Sequence, residues 1–564
     1  MIGLFAVTAA GRRAAWECAA ALGPDAEVVD EPLAEALPRR WADLDAAVLF
    51  LATGAAVRLV APLLADKRTD PGVVCVDEAR RFAVALCGGH AGGANALAHR
   101  VADALGATPV ITTASDAAGT TALDDVVAQL GATVDGNLAA AGVALLDGAA
   151  RVDNPLRFPL PPLPPLIGGP QWTIEITDQL AAASDPHRLR LVPPTLVVGI
   201  GSARDVPAEA VTSTVAGALA GHGLDPAAVR AYASVDLKAD EAGILAAIAP
   251  VPLRTYPVDV LAAVAVPNPS EVVRAEVGTP SVAEAAALHT ATELAVGGRV
   301  ELVVPKHKGD NVTAAIARIH PRGRLAVVGL GPGAADLRTP RADAELRRAA
   351  VVVGLDQYVD QVAPLLRPGT QVRASGLGAE EQRAAEAVAF AAAGHAVALI
   401  GSGDAGVYAM GSPALQQAGA DVEVVGVPGV TAALAAAALL GAPLGHDHVL
   451  ISLSDLHTPW DVIERRVAAA AAADFVTCFY NPRSRDRDWQ LGAALAVLRA
   501  HRPASTPVGA VRQAGRPGQR VWTAPIGEFD PREVDMLTTV VVGASSTRMV
   551  AGRMVTPRGF RWSS

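Results

Sequence analysis

At 564 residues the chain exceeds what one hydrophobic core serves, so three or four domains of about 100–200 residues are expected. Hydrophobic residues make up 51%, charged residues 18% and aromatics 4%, which excludes a disordered chain and describes an Ala- and Val-rich globular one. The formal charge of -10 argues against a general nucleic-acid binder, which would carry a basic surface.

The first residues, MIGLFAVTAAGRR, place the apolar run before the arginines, the reverse of a secretory signal, and read as a first strand. Residues 1–150 alternate β-branched runs (AAVLFLATG, GVVCVDE, FAVALCGG) with Ala-rich helical stretches, the pattern of a parallel α/β domain. Residues 151–194 include RFPLPPLPPLIGGP, which can neither continue a helix nor donate to a ladder, and read as a linker or extended strap with a small structured piece around QWTIEITDQL. A second α/β block spans 195–320 and opens on TLVVGI, and a third spans 324–560 and opens on LAVVGLGPG. The fold class expected is therefore α/β and multidomain. A membrane span needs about 20 nearly uninterrupted apolar residues. The best runs, Thr431–Leu440 and Val467–Ala473, are short and bounded by Pro, Gly or charge, so no membrane partner is expected. Cys18, Cys75, Cys87 and Cys478 lack CxxC spacing, which predicts neither a metal site nor a disulfide framework and suits a reducing cytoplasm.

In the third block a small-residue loop follows a strand twice. Gly329-Leu330-Gly331-Pro332-Gly333 is not GxGxxG, and the next helix is predicted to start only near Thr339-Pro340, with Asp343 in its opening turn. A dinucleotide phosphate wants a helix N-terminus directly behind the loop. The glycines either admit a ligand without phosphate or make a tight turn. A strand over Ala396–Ile400 then runs into Gly401-Ser402-Gly403-Asp404-Ala405-Gly406-Val407-Tyr408-Ala409-Met410, where Asp404 is the only charge and reads as a ligand contact, a helix N-cap or both. Val427-Pro428-Gly429-Val430-Thr431 is a third turn leading into an apolar helix.

These segments resemble the class III tetrapyrrole family of S-adenosylmethionine methyltransferases. Further runs narrow the resemblance: Pro443-Leu444-Gly445-His446-Asp447, Ile451-Ser452-Leu453-Ser454-Asp455-Leu456 with Thr458-Pro459-Trp460, Tyr480-Asn481-Pro482-Arg483-Ser484-Arg485, and Thr556-Pro557-Arg558-Gly559. Together they look like the family that methylates precorrin-3B, or its cobalt counterpart, at carbon 17 with ring contraction. Gly543 is followed by Ala544 where that family commonly has Asn. The resemblance implies two α/β subdomains with S-adenosyl-L-methionine folded in their cleft, leaving S-adenosyl-L-homocysteine as product. It carries over cofactor contacts to Gly329, Gly331, Pro332, Gly403, Asp404, Val407, Tyr408, Met410, Thr431, Tyr480 and Thr538. A sulfonium methyl is already electrophilic, so neither metal nor protein nucleophile is called for, and positioning does most of the work. The corrin substrate carries many carboxylates, which arginine forks suit, so Arg483, Arg485, Arg487, Arg512 and Arg548 are candidate contacts. A solvated charge-dense loop is the plainer account of RSRDRD. His446, Asp447 or Asp455 could assist ring contraction, and a homodimer through this domain is implied by the resemblance alone.

The first two α/β blocks resemble the cobalt-precorrin-5A hydrolase family. The runs that carry this are Leu51-Ala52-Thr53-Gly54-Ala55-Ala56-Val57-Arg58, Gly89-His90-Ala91-Gly92-Gly93-Ala94-Asn95, Val110-Ile111-Thr112-Thr113-Ala114-Ser115-Asp116, Ser234-Val235-Asp236-Leu237-Lys238-Ala239-Asp240-Glu241, Asn268-Pro269-Ser270-Glu271, Gly278 through Ala287, and Val304-Pro305-Lys306. The resemblance implies opening of the ring-contraction lactone with release of acetaldehyde, which needs an activated water and a stabilised oxyanion. His90 is a candidate base, Gly92 and Gly93 candidate oxyanion donors, and Lys238, Glu241, Glu284 and Lys306 candidate acids, bases or clamps, each against the plainer reading of a structural His or a surface ion pair. Where the family often has Gly-x-Gly-Cys-Arg, this chain reads Gly199-Ile200-Gly201-Ser202-Ala203-Arg204. The two blocks are thus expected to form either a second enzyme fused to the methyltransferase or a non-catalytic substrate-binding module. A third possibility, a relative acting on RNA or protein, is opposed by the acidic balance and by the YNPRSR and SLSDLHTPW runs.

Overall fold

A computed structural model describes residues 1–66, 69–90, 92–181, 185–485 and 487–559. Ala91 of the GHAGGAN run, Asp486 of RSRDRD and position 560 lie outside the described residues. The chain divides into two compact units, Met1–Arg322 with Arg367–Gly369, and Gly323–Leu366 with Thr370–Ser564.

The first unit begins with a six-stranded sheet, in the order Ala26–Val29, Ile2–Ala6, Ala46–Phe50, Gly72–Val76, Phe82–Cys87, Thr108–Val110. Its central strands are apolar on both faces because helices cover both, the burial that parallel strands require. Leu4, Val48 and Val74 meet Ala14, Ala15 and Leu97 on one side, while Phe5, Leu49 and Val73 meet Leu37, Ala56 and Val60 on the other.

Residues 151–194 are more than a linker. Thr133–Asp135, Arg188–Val192, Trp172–Ile176 and Ala150–Asp153 form a four-stranded sheet, sealed by helices Leu123–Leu130 and Leu138–Leu146. Ile174, Ile176, Leu189 and Leu191 alternate inward onto Val126, Leu130 and Ala141, and the Pro-rich run crosses this core as extended chain with Leu160 buried in it. The prolines bar a strand there without preventing their leucines from packing. The third sheet runs Leu253–Tyr256, Val229–Val235, Leu196–Ser202, Val312–Ile319, Val300–Lys308. Its central strand carries helix Val282–Ala295 so closely that a Cβ on Gly199 would stand 1.9 Å from the Ala283 carbonyl.

The second unit opens with a five-stranded, wholly parallel sheet in the order Gln371–Ser375, Val351–Leu355, Ala396–Gly401, Gly323–Gly329, Val422–Val427. A second sheet follows: His448–Ser452, Val476–Tyr480, Thr538–Val542, Pro507–Arg512, Arg520–Pro525, with the first pair parallel and the rest antiparallel. A small sheet of Gly441–Ala442, Arg553–Val555 and Arg548–Val550 completes the unit. Among the described residues no helix is long and apolar enough to cross a membrane.

Candidate functional sites

The first strand of the parallel sheet lies between Ala396–Gly401 and Val422–Val427, so the order reverses around it and the carboxyl ends of three adjacent strands open a crevice, the usual ligand position in such sheets. All three small-residue loops singled out in the sequence leave from these ends. The helix behind the first loop is Pro340–Arg348, capped by the Thr339 hydroxyl, with Asp343 in its first turn as predicted. Gly331 and Gly403 exchange backbone hydrogen bonds of 3.0 and 2.8 Å, and the Leu330 N–H donates to the Gly401 carbonyl at 2.9 Å. Gly331 and Gly403 take positive φ of 74° and 66°. A Cβ on Gly429 would stand 2.2 Å from the Gly403 carbonyl and 2.7 Å from that of Gly329. These glycines are therefore required by backbone packing of one loop on another. Asp404 is no helix N-cap, since the next helix begins at Gly411 without a side-chain cap. Its carboxylate accepts from the Gly406 N–H at 2.8 Å and the Gly429 N–H at 3.0 Å, clasping the second loop to the third.

The second sheet brings its own residues to one edge. Ser452 pairs with Tyr480 and Arg512 with Thr538 in register, so all four stand at the same end. The Tyr480 hydroxyl lies 2.6 Å from Thr431 Oγ1 and accepts from the Ala433 N–H at 2.9 Å, and burial raises its pKa above the usual phenol value. Tyr408, an aromatic at φ 51°, is about half-exposed (54%), donates to the Leu450 carbonyl at 2.8 Å, and has its ring centroid 5.2 Å from that of Tyr480. A bulky residue held in the left-handed region is a strained position of the kind that gathers at ligand sites. Pro332 and Thr431 are buried and Val407 half-buried; Met410 packs into the core against Ala405 and Ala414, leaving its backbone rather than its side chain for a ligand. Thr538 is buried and donates to Asp535 at 2.7 Å. Asp455 accepts from Gln490 at 2.9 Å and lies 3.8 Å from Arg487.

In the first unit three clusters form, one on the six-stranded sheet and two on the sheet that contains Val229–Val235 and Val300–Lys308. His90 follows strand Phe82–Cys87, with Nε2 2.8 Å from Ser115 Oγ and 3.3 Å from Asp116 Oδ2, and Nδ1 3.3 Å from Asp125 Oδ1. The Asp125 carboxylate raises its pKa above the usual imidazole value, with Asp116 and Asp124 adding to the effect against partial burial. Gly93 is no oxyanion donor, because its N–H is taken by the His90 carbonyl at 3.0 Å, and Gly92 is closed in against Gly72. Lys238 and Glu241 do pair, at 3.0 Å, yet both are buried rather than at the surface, and Lys238 also donates to the Ala203 carbonyl at 2.6 Å. Glu284 is fully buried and accepts from the Asn268 N–H and amide and from the Lys306 N–H, a role that holds chain segments together.

The model of tetrapyrrole (corrin/porphyrin) methylases matches residues 324–530, and models of the N-terminal and C-terminal regions of cobalamin synthesis protein G match 35–116 and 196–317. A Salmonella typhimurium protein named "Probable cobalt-factor III C(17)-methyltransferase" is 47% identical over 239 residues, 42% of this chain and 99% of that one. The chain belongs to the tetrapyrrole methylase family. It is a fusion, joining a methylase to both regions of cobalamin synthesis protein G. A Sinorhizobium "Precorrin-3B C(17)-methyltransferase" is 46% identical over 235 residues, 40% of this chain and 91% of that one. The crystal structure of the methyltransferase CobJ matches at 38% identity and TM-score 0.40, covering 42% of this chain and all of that one.

Within the methylase unit the arginines divide. Arg512 is held by Asp535 at 2.7 Å on the edge that carries Tyr480 and Thr538, and Arg483 donates to the Arg532 carbonyl at 2.8 Å. Arg485 is exposed. Arg487 is buried and spent on the Leu453 and Asn481 carbonyls, so it serves the fold, and Arg548 stands exposed on the small sheet. Sequence reasoning missed two residues, one at the first loop and one at the second. Arg516 donates to the Pro332 carbonyl at 2.7 Å, and Tyr358 accepts from Ser402 Oγ at 3.0 Å. Arg516 sits in the unremarkable loop RQAGRPGQR, where only its place among Gly and Pro was a signal.

Proposed function

We propose that the C-terminal unit transfers a methyl group from S-adenosyl-L-methionine to carbon 17 of precorrin-3B or cobalt-factor III with ring contraction, and that the first unit opens the lactone of cobalt-precorrin-5A with loss of acetaldehyde. The observation that carries the first part is the convergence of three loops at adjacent strand ends, tied to the second sheet through Tyr408 and Tyr480. The loops suit a phosphate-free, cationic ligand: residues 329–333, 401–410 and 427–431 contain no Lys or Arg, and Asp404 is their one charge. Only the three-residue 3-10 turn Ala335–Leu337 follows Gly333 before the helix at Pro340. Bound there, the sulfonium would supply an activated methyl and leave as S-adenosyl-L-homocysteine. Gly329, Gly331, Pro332, Gly403, Val407, Met410 and Thr538 would contact it, largely through backbone. Asp404 and Tyr480 fix the loops before the ligand arrives, and such pre-arrangement lowers the barrier by positioning. Arg483, Arg485 and Arg512 would take substrate carboxylates, with Arg548 more remote, and Asp455 would assist at the ring. A homodimer, a cytoplasmic location and no role for nucleic acid complete this reading.

Incubating the full chain with methyl-labelled S-adenosylmethionine and, separately, the metal-free and cobalt-containing trimethylated precursor tests it. Label should enter one of the two; transfer to neither, with no calorimetric binding of the sulfonium or its product, overturns it. A second reading, in which the first unit only binds substrate, is favoured by the engagement of Glu284, Lys238 and Glu241 in internal contacts and by Ser202 in place of Cys. Acetaldehyde release from the lactone by the full chain decides between the two.

A further inference from the structure

The His90 cluster holds more than a lone base. Ser115 Oγ stands 2.8 Å from Nε2, while Asp125 Oδ1 stands 3.3 Å from Nδ1 on the other side of the ring. A hydroxyl, an imidazole and a carboxylate in this sequence are recognised by geometry rather than by chain order. They come from three segments of the first unit: the loop after strand Phe82–Cys87, the short helix Ala114–Ala117, and the first turn of helix Leu123–Leu130. We propose that Ser115 is the nucleophile of an ester-cleaving centre, with His90 as its base and Asp125 as the residue that orients the ring, acting on a lactone through an acyl-serine intermediate. The choice of lactone rests on the hydrolase reading above; the relay itself does not.

The surroundings suit the task. Asp116 is anchored by the Asn95 amide at 2.9 Å and by the Thr113 hydroxyl, and its 3.3 Å approach to Nε2 stabilises the imidazolium formed when Ser115 gives up its proton. Because Nδ2 of Asn95 faces that carboxylate, its Oδ1 points the other way, and among the described residues this buried atom has no hydrogen-bond partner. That atom faces Gly89, the residue before His90, and an orphaned acceptor there is a place for a water. Ser115 is buried and His90 mostly so, but the Asp116 and Asp125 carboxylates are nearly half-exposed, so the cluster opens to solvent along that rim. The 3.3 Å separation at Asp125 is longer than a good hydrogen bond, as is common before a substrate tightens such a site.

The chemistry balances without a metal or a second reactant other than water. Ser115 Oγ attacks the lactone carbonyl carbon as its proton passes to His90 Nε2. The carbonyl carbon's bond to the ring oxygen breaks, and that oxygen takes the proton from His90. Water then attacks the acyl-serine, giving one proton to His90, which returns it to Ser115 Oγ as the ester bond breaks. The product is the open hydroxy acid. Its freed carbinol O–H then loses its proton as the carbon–carbon bond to the macrocycle breaks, so that acetaldehyde departs and the ring carbon takes the electron pair and a proton.

The full chain should be treated with a fluorophosphonate, the adduct located by mass spectrometry, and acetaldehyde release from the lactone measured in parallel. Wild type should be labelled at Ser115. Ser115→Ala should lose labelling and slow acetaldehyde release at least about a thousandfold. His90→Ala should slow labelling about a hundredfold. Asp125→Asn should slow labelling and move its pH midpoint downward, a readout that a merely structural role would leave in place. Asp116 and Asp124, which also face the ring, remain in that variant. Unfolding of Ser115→Ala is checked by circular dichroism, and Ser115→Cys, acylated on sulfur in its place, keeps the idea testable if alanine fails to fold. Acetaldehyde release retained by Ser115→Ala within tenfold of wild type overturns the serine nucleophile and leaves the hydrolase reading standing. Labelling of Ser115 without any release by wild type overturns the hydrolase reading and supports the relay. Neither labelling nor release overturns both.

Discussion

The methylase crevice and the ionisable clusters of the first unit are built from different materials. In the crevice the main chain does the holding: Gly331 bonds to Gly403, Gly429 is pressed against the Gly329 and Gly403 carbonyls, and one carboxylate clasps two loops through their N–H groups. In the first unit, ionisable side chains pair with one another or with backbone, as Lys238 does with Glu241 and Glu284 with Asn268. A site made of backbone keeps its shape when a side chain is trimmed, whereas a buried carboxylate that ties segments together is felt in stability first. The same residue type thus reports different things in the two regions, and substitutions can tell them apart.

The largest effect is expected at Glu284. Removing its carboxylate, itself fully buried, leaves the Lys306 N–H without an acceptor on a half-buried strand, while the Asn268 N–H and amide, on an exposed residue, can turn to water. A buried donor left orphaned costs about 1–3 kcal/mol, and the ties between segments go with it, so Glu284→Ala should lower stability by about 2 kcal/mol in urea unfolding. Unchanged stability with lost acetaldehyde release would make Glu284 a reacting group and erase the contrast with the crevice.

Asp404 should behave differently. Asp404→Ala releases two loop N–H groups near the crevice mouth, and the expected outcome is at least about tenfold weaker S-adenosylmethionine binding by calorimetry, near 1.4 kcal/mol, in a chain that still folds. Equal affinity would remove Asp404 from the cofactor site. Arg483→Ala is smaller again. Its guanidinium holds the Arg532 carbonyl from a partly exposed loop, so the precursor KM should rise about two- to fivefold with sulfonium affinity unchanged. A parallel fall in sulfonium affinity would place that loop at the cofactor instead.

The crevice was legible because its signals are local. A strand, a run of small residues and a late-starting helix occupy neighbouring positions, so Gly329, Gly403, Asp404 and the cap at Thr339 could be marked from spacing alone. The reason for the glycines was not legible, because it lies in carbonyls from strands about 75 and 100 positions away. Arg516 was invisible for the same reason, its partner Pro332 being 184 residues distant. Prolines between 159 and 165 suggested a linker, and the four-stranded sheet was missed because its inward leucines and isoleucines are interrupted by turns that hide the alternation. Ser115 passed unremarked as part of TTASD, since nothing in the sequence says that Asp125 and His90 close on the same ring.

The smallest effect is a pH dependence at His90. Its pKa is raised by Asp125 first, then by Asp116 and Asp124, so between the ordinary imidazole value near 6.5 and the raised one the folded chain binds more proton than the unfolded chain. This contribution is present in full below the ordinary value and is lost as pH rises through the raised one. The difference in urea midpoint between wild type and His90→Gln should therefore shrink across that window and level off above it. A base must be neutral to accept a proton, so kcat/KM for ester cleavage should climb to half its plateau at the same upper pH where the stability difference flattens. If the rate instead rises near the ordinary imidazole value while the stability difference persists, His90 is a structural cation, and the first unit joins Glu284 on the side of stability alone.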